Sequence, residues 1–134
     1  MVKKKNLIFS ILCVMALMIS SIGAAYASNR NIANYNKITP RNGVTYTAPL
    51  RKVGTTRAVN NNTSVGGGVR MDTAVFLNVT RVSSQLRIPS GQRITIPYNA
   101  GRAVSGVNYR LGHSTPLTTV VQVQTRGSWS PDER

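Results

Sequence analysis

From Val69 onward, apolar and polar positions alternate with a period of two. Val69, Met71, Thr73, Val75, Leu77 and Val79 alternate with Arg70, Asp72, Ala74, Phe76, Asn78 and Thr80, the pattern of a strand with one buried face. Leu86 and Ile88 flank Arg87, Pro89-Ser90-Gly91 reads as a turn, and Ile94, Ile96 and Tyr98 alternate with Arg93, Thr95 and Pro97. Asn99-Ala100-Gly101 reads as the next turn, because Asn and Gly tolerate positive φ at little cost. Val107, Tyr109 and Leu111 then alternate with Asn108 and Arg110. Finally Leu117, Thr119, Val121 and Val123 line one face of a last long strand and Gln122, Gln124 and Arg126 the other. No stretch beyond residue 27 carries the 3.6-residue stripe of a helix. Short strands separated by turn signals predict an all-β fold, a small antiparallel β-sandwich or barrel of about six or seven strands.

The preceding region is less regular. Between Ser28 and Thr63 the chain is rich in Asn, Arg and Thr, and Asn60-Asn61-Asn62 leads into Gly66-Gly67-Gly68, all of which are loop signals. Short strands are expected at Val44–Ala48 and Val53–Val59, and Ser28–Thr39 reads as a mobile arm. The expected organisation is therefore an Asn/Arg-rich arm over 28–63 and a β-sandwich core over 64–134.

Residues 1–27 follow the three-part plan of a secretory signal peptide: Lys3-Lys4-Lys5, a mostly apolar run from Leu7 to Ile19, and Ala25-Tyr26-Ala27 as a small-residue cleavage site. Ser20, Ser21 and Gly23 interrupt the run before the roughly 20 apolar residues that a spanning helix needs. Cleavage after Ala27 is expected to send the protein outside the cell, secreted or wall-associated, with no transmembrane segment left. It would also remove Cys13, the only cysteine, so that a hydrophobic core rather than a disulfide must hold the exported chain. The remainder has 13 Val and 13 Thr but one Glu, a composition suited to pleated sheet.

Charge narrows the chemistry. The whole chain has 17 Lys and Arg against 3 Asp and Glu, a net +14, and loss of the three leader lysines leaves +11. An enzyme of this composition would have to work with His113, Asp72, Asp132 and Glu133. Asp132 and Glu133 stand near the C-terminus, where chains fray. His113 falls in the loop-like Gly112-His113-Ser114-Thr115-Pro116, beside Ser114 but with no acid nearby to orient it, and reads as a solvated loop histidine. Metal binding fails on ligand count. No Lys-Ser or Lys-Thr follows the triple glycine, so it is not a P-loop. The expectation is a protein without catalytic residues, metal or cofactor.

What remains is arginine. Arg70, Arg87, Arg93, Arg110 and Arg126 fall on the polar register of their predicted strands. Guanidinium groups pair bidentately with phosphate or carboxylate, so these five are the candidate anion-binding residues. Scattered evenly over a chain of this size, a dozen arginines would act almost independently, because the Debye length is about 8 Å at physiological salt; strong binding requires them to cluster. The expected partners are anionic envelope polymers such as wall teichoic acids, acidic polysaccharides or lipid headgroups. No nucleic-acid motif or stacking array points to a specific nucleic-acid partner. Trp129 is expected to cover one end of the core, with insertion at a lipid interface or stacking on a sugar as the competing role.

The lysine-led leader, the cysteine-free remainder, the Val-rich strands and the ending Val121-Gln122-Val123-Gln124-Thr125-Arg126-Gly127-Ser128-Trp129-Ser130-Pro131-Asp132 resemble a class of small exported β proteins of Gram-positive bacteria. Those proteins end in a strand, Gly-x-Trp and an acidic tail, and some are similar to lactococcin-type bacteriocins. The similarity is concentrated in residues 117–133. It implies an exported β protein without enzyme chemistry, and an antibacterial role. The leading expectation is thus a secreted, non-enzymatic cationic protein that binds anionic polymers through surface arginines; the alternative is a bacteriocin-like antimicrobial acting on the envelope of related bacteria.

Overall fold

The structure, a computed structural model, describes residues 30–116 and 118–133; the expected leader lies outside them. Ten strands are present among the described residues: β1 Ala33–Thr39, β2 Val44–Tyr46, β3 Leu50–Arg51, β4 Ala58–Val65, β5 Asp72–Leu77, β6 Thr80–Arg81, β7 Leu86–Arg87, β8 Arg93–Ile96, β9 Asn108–Ser114 and β10 Val123–Ser130. The triple glycine 66–68 makes a single 3-10 turn. No described helix is long and apolar enough to cross a membrane.

All pairings are antiparallel. One sheet has the order β1-β10-β4-β8 and the other β2-β9-β5-β6, with β3 continuing β2 along β9 and β7 pairing with β5 beside β6. Eight strand positions therefore replace the six or seven expected. Their order is that of a hairpin rolled on itself: first pairs with last, second with seventh, third with sixth and fourth with fifth. This is the connectivity of a jelly roll, two Greek keys forming a two-layer sandwich.

The expected arm is the main departure. Ala33–Thr39, read as mobile, is β1, hydrogen-bonded along its length to β10. Ala58–Val65 is β4, an interior strand between β10 and β8. Asparagine is a poor strand former, but here successive residues of Asn60-Asn61-Asn62 alternate between faces, with Asn60 and Asn62 buried and Asn61 exposed. At the far end of the first alternating run, Asn78 takes φ 57 and turns β5 into β6. Val79, expected on the buried face, lies at the turn and is 73% exposed. Likewise β10 begins at Val123, and Val121 is exposed in the preceding loop.

Inside the sandwich the strands share one sequence of environments. Ala58, Val75, Ile96, Leu111 and Trp129 belong to a large apolar cluster, and Val65, Met71, Ile88 and Val123 to a smaller one. Between them on β4, β5 and β10 stand polar residues: Asn60 and Asn62, Thr73, and Thr125. Tyr35 ties this belt together. Its hydroxyl donates to Asn60 Oδ1 at 2.7 Å and accepts from Asn62 Nδ2 at 3.2 Å, while Asn60 Nδ2 donates to Thr73 Oγ1 and Asn62 Nδ2 to Thr125 Oγ1. Burial raises the Tyr35 pKa above its usual value, and its hydrogen bonding with Asn62, Asn60 and Thr125 opposes that shift.

Gly127 makes room for the tyrosine. It pairs with Tyr35 and Asn62 at a register shift in β10–β4, and a Cβ there would overlap the Asn61 carbonyl oxygen and the Tyr35 ring and hydroxyl. Because backbone cannot yield as a flexible side-chain end can, Gly127→Ala is expected to cost about 1–3 kcal/mol, as overpacking typically does. A chemical-denaturation midpoint unchanged from the native protein would count against this packing.

Candidate functional site

Strand register decides where each arginine points, since adjacent residues face opposite sides of a sheet. On the first sheet the inward positions include Tyr35, Asn60, Ile96 and Trp129, and two of the outward cross-strand rows carry the arginines. Asn34 of β1 stands opposite Ser128 of β10, which stands opposite Asn61 of β4, which stands opposite Arg93 of β8. In the next row Asn36 is opposite Arg126, and Arg126 is opposite Ser64. Gln124 Nε2 donates to Asn36 Oδ1 at 2.9 Å. With strands about 4.8 Å apart and about 3.4 Å rise per residue, the Arg93 and Arg126 Cα atoms lie about 12 Å from each other.

This face contains carboxamides, hydroxyls and guanidinium groups, and within its two rows no carboxylate. The chain has three acidic residues, and each is engaged elsewhere. Asp132 is buried with Lys52, Glu133 pairs with Arg57 at the sheet's end, and Asp72 belongs to the other sheet. The side chains of Arg93 and Arg126 have no ion pair or hydrogen bond among the described residues. Beside Arg93 the surface sinks into a depression of about 270 Å³, lined among others by Arg30, Ile32, Val59, Asn61 and Ser128. Arg30 Nη1 donates to the Glu133 carbonyl at 2.6 Å, which fixes its side chain at the rim.

Arg70, Arg87 and Arg110 are on the opposite side of the sandwich. Arg87 of β7 is directly across from Asp72 of β5, and Arg70 Nε meets Asp72 Oδ1 at 3.3 Å. Gln85 donates to the other oxygen of Asp72 and accepts from Arg81. Arg110 stands across from Phe76, whose ring lies over Gly112 with Tyr46 edge-on at 5.0 Å. The five candidate arginines therefore do not converge. Two face outward from one sheet with their charge free, and three from the other, where Asp72 offsets part of the field.

Two further expectations do not hold. His113 is not in a solvated loop: it lies in β9, is 0% exposed, faces inward across from Thr45 and Thr73, and its ring is 4.8 Å from that of Tyr35. Neither ring nitrogen has a hydrogen-bond partner, and Ser114, the next residue along the strand, faces the other way. Burial, with a smaller contribution from Lys37, lowers the His113 pKa from 6.5 to about 4. Trp129 is 1% exposed within the large cluster, the core position expected of it.

The second correction concerns the C-terminal segment, which is clasped rather than frayed. Lys52 Nζ donates to Asp132 Oδ1 at 2.8 Å, to the Pro131 carbonyl at 2.7 Å and to the Thr56 carbonyl, and lies 4.5 Å from the centre of the Tyr98 ring. Asp132 in turn accepts from the backbone N–H groups of Val53 and Gly54. Tyr98 donates to the Pro131 carbonyl, and its burial raises its pKa.

The amide and hydroxyl members of the acid-free face, Asn34, Asn36, Asn61 and Ser128, were not marked by the sequence. The alternation in Ala33-Asn34-Tyr35-Asn36-Lys37 is the signal that could have found the first two. The architecture defines an all-β protein of two antiparallel sheets. No protein-family model, curated protein or solved structure matches the chain.

Proposed function

We propose that the protein is a secreted, non-enzymatic binding module that takes an anionic polymer of the cell envelope or extracellular medium across the outer face of the β1-β10-β4-β8 sheet. The observation that carries this reading is a pair of outward polar rows that hold two guanidinium groups without an ion pair among the described residues, and no carboxylate. Free guanidinium groups can pair with phosphate or carboxylate without first breaking an internal ion pair. Their Cα atoms, about 12 Å from each other, stand farther apart than the screening length of about 8 Å, so the two residues offer separate anchor points for an extended polymer. Carboxamides and hydroxyls between them supply donors and acceptors for the polymer's uncharged groups.

The test compares two substitutions that remove the same charge from opposite faces. On a resin carrying poly(glycerol phosphate), the native protein is expected to elute with rising salt, as counterion release requires. Arg93→Gln should elute at distinctly lower salt, and Arg110→Gln at the native position. Equal shifts for the two variants would mean that net charge alone governs retention, and elution indifferent to salt would remove the electrostatic mechanism.

A further inference from the structure

We propose that the depression beside Arg93 is a subsite for one pyranose ring bearing a carboxylate, a hexuronate unit of an acidic polysaccharide. The proposal rests on the reading of this face as a polymer-binding surface and specifies its ligand.

The lining divides by chemistry. Ile32, 57% exposed, offers an apolar surface above the buried Val59, which suits the C–H face of a sugar ring and gains nothing from a bare phosphate. Asn61 and Ser128 are direct cross-strand partners, so their side chains start about 5 Å from each other. A carboxamide and a hydroxyl at that spacing can each donate to and accept from neighbouring ring hydroxyls. Arg93 is the next residue in the same row, across from Asn61, and its unpaired guanidinium can take a carboxylate bidentately. Arg30, positioned by its bond to the Glu133 carbonyl, places a second positive charge on the rim.

Size selects a single unit. At about 270 Å³ the depression falls below the roughly 300–1,000 Å³ of pockets that enclose drug-sized ligands, and it opens onto the rows that lead to Arg126. A flexible polyol phosphate would satisfy the guanidinium groups and leave Ile32 uncovered. A neutral sugar would cover the apolar surface and leave Arg93 without its counter-charge. A ring with a carboxylate uses both.

Titration calorimetry of the native protein at low salt tests this with three probes: a tetrasaccharide of glucuronate, a neutral glucose tetrasaccharide, and a glycerol-phosphate oligomer matched in charge to the first. The glucuronate oligomer is expected to bind about tenfold tighter than the glycerol-phosphate oligomer, the scale of covering most of one exposed aliphatic side chain, and the neutral oligomer weakest. Asn61→Ala and Ile32→Ser should each shrink that preference severalfold; both side chains are exposed, so neither change threatens the fold. Equal binding of the two anionic oligomers, unaffected by either substitution, would overturn the subsite and leave the polymer-binding face intact. Failure of both anionic oligomers to bind would remove the face as well. Loss of glucuronate binding in Arg110→Gln but not in Arg93→Gln would move the site to the other sheet and overturn both.

Discussion

Asp132→Ala is expected to lower the free energy of unfolding by about 3–5 kcal/mol, the cost of removing one partner from a buried ion pair. Lys52 and Asp132 are both 0% exposed. Without the carboxylate, Lys52 Nζ keeps the Thr56 and Pro131 carbonyls but loses its counter-charge, and the N–H groups of Val53 and Gly54 lose their acceptor. A buried charge left unpaired is far costlier than an exposed pair is valuable. Substitution of Arg57, whose partner Glu133 sits at the surface, should therefore change stability by less than about 1 kcal/mol. The double change Lys52→Met with Asp132→Leu should recover much of the loss, since apolar replacement of both partners removes the desolvation penalty together with the attraction. Chemical denaturation of the three variants measures this; a loss in Asp132→Ala no larger than in Arg57→Ala would show that the clasp does not hold the terminus.

Acidification is expected to destabilise the protein through His113. Its pKa in the fold is about 4, against 6.5 in a solvated histidine, so between those values the unfolded chain binds a proton that the folded one excludes. Stability from this group is complete above pH 6.5, falls as the pH drops through the window and levels off below about pH 4. At 1.36 kcal/mol per pKa unit the accumulated loss is about 3 kcal/mol. The cause is geometric: inward-facing on β9 against Tyr35, with no acceptor at either nitrogen, an imidazolium has nothing to donate to. Replacing His113 with Phe keeps the ring and removes the proton site. The difference in stability between native and His113→Phe should slope between pH 6.5 and 4 and be flat above; parallel profiles throughout would refute the assignment.

Where alternation is strict, the strands were legible: β7, β8 and β9 come directly from Leu86–Ile88, Ile94–Tyr98 and Val107–Leu111. What hid β1 and β4 is the belt. Inward positions are normally apolar, but in β4 they are asparagines whose carboxamides are satisfied by Tyr35, Thr73 and Thr125. Those partners are 13 to 63 residues away in sequence, beyond any local pattern. His113 was misplaced for the same reason: with Gly112 before it and Ser114 after it, nothing local distinguishes a strand supporting the Phe76 ring from a loop. The outward register of Arg93 and Arg126 could be read from the chain, whereas their separation from Arg70, Arg87 and Arg110 depends on which sheet each strand joins. Lys52 and Asp132 are 80 residues apart and carry no mutual signal in sequence.

The rolled hairpin also sets the order in which the molecule can come into being. β4 meets β8 as soon as the chain has been made through Ile96, but its other neighbour, and the sheet neighbour of β1, is β10, so this sheet is incomplete until the chain has been made through β10. Asn34 waits for Ser128. The other sheet needs nothing beyond β9, so the two layers become available one after the other, and the closure of the β1-β10-β4-β8 sheet, built on the long-range pairing of β1 with β10, belongs to the slow class of folding reactions.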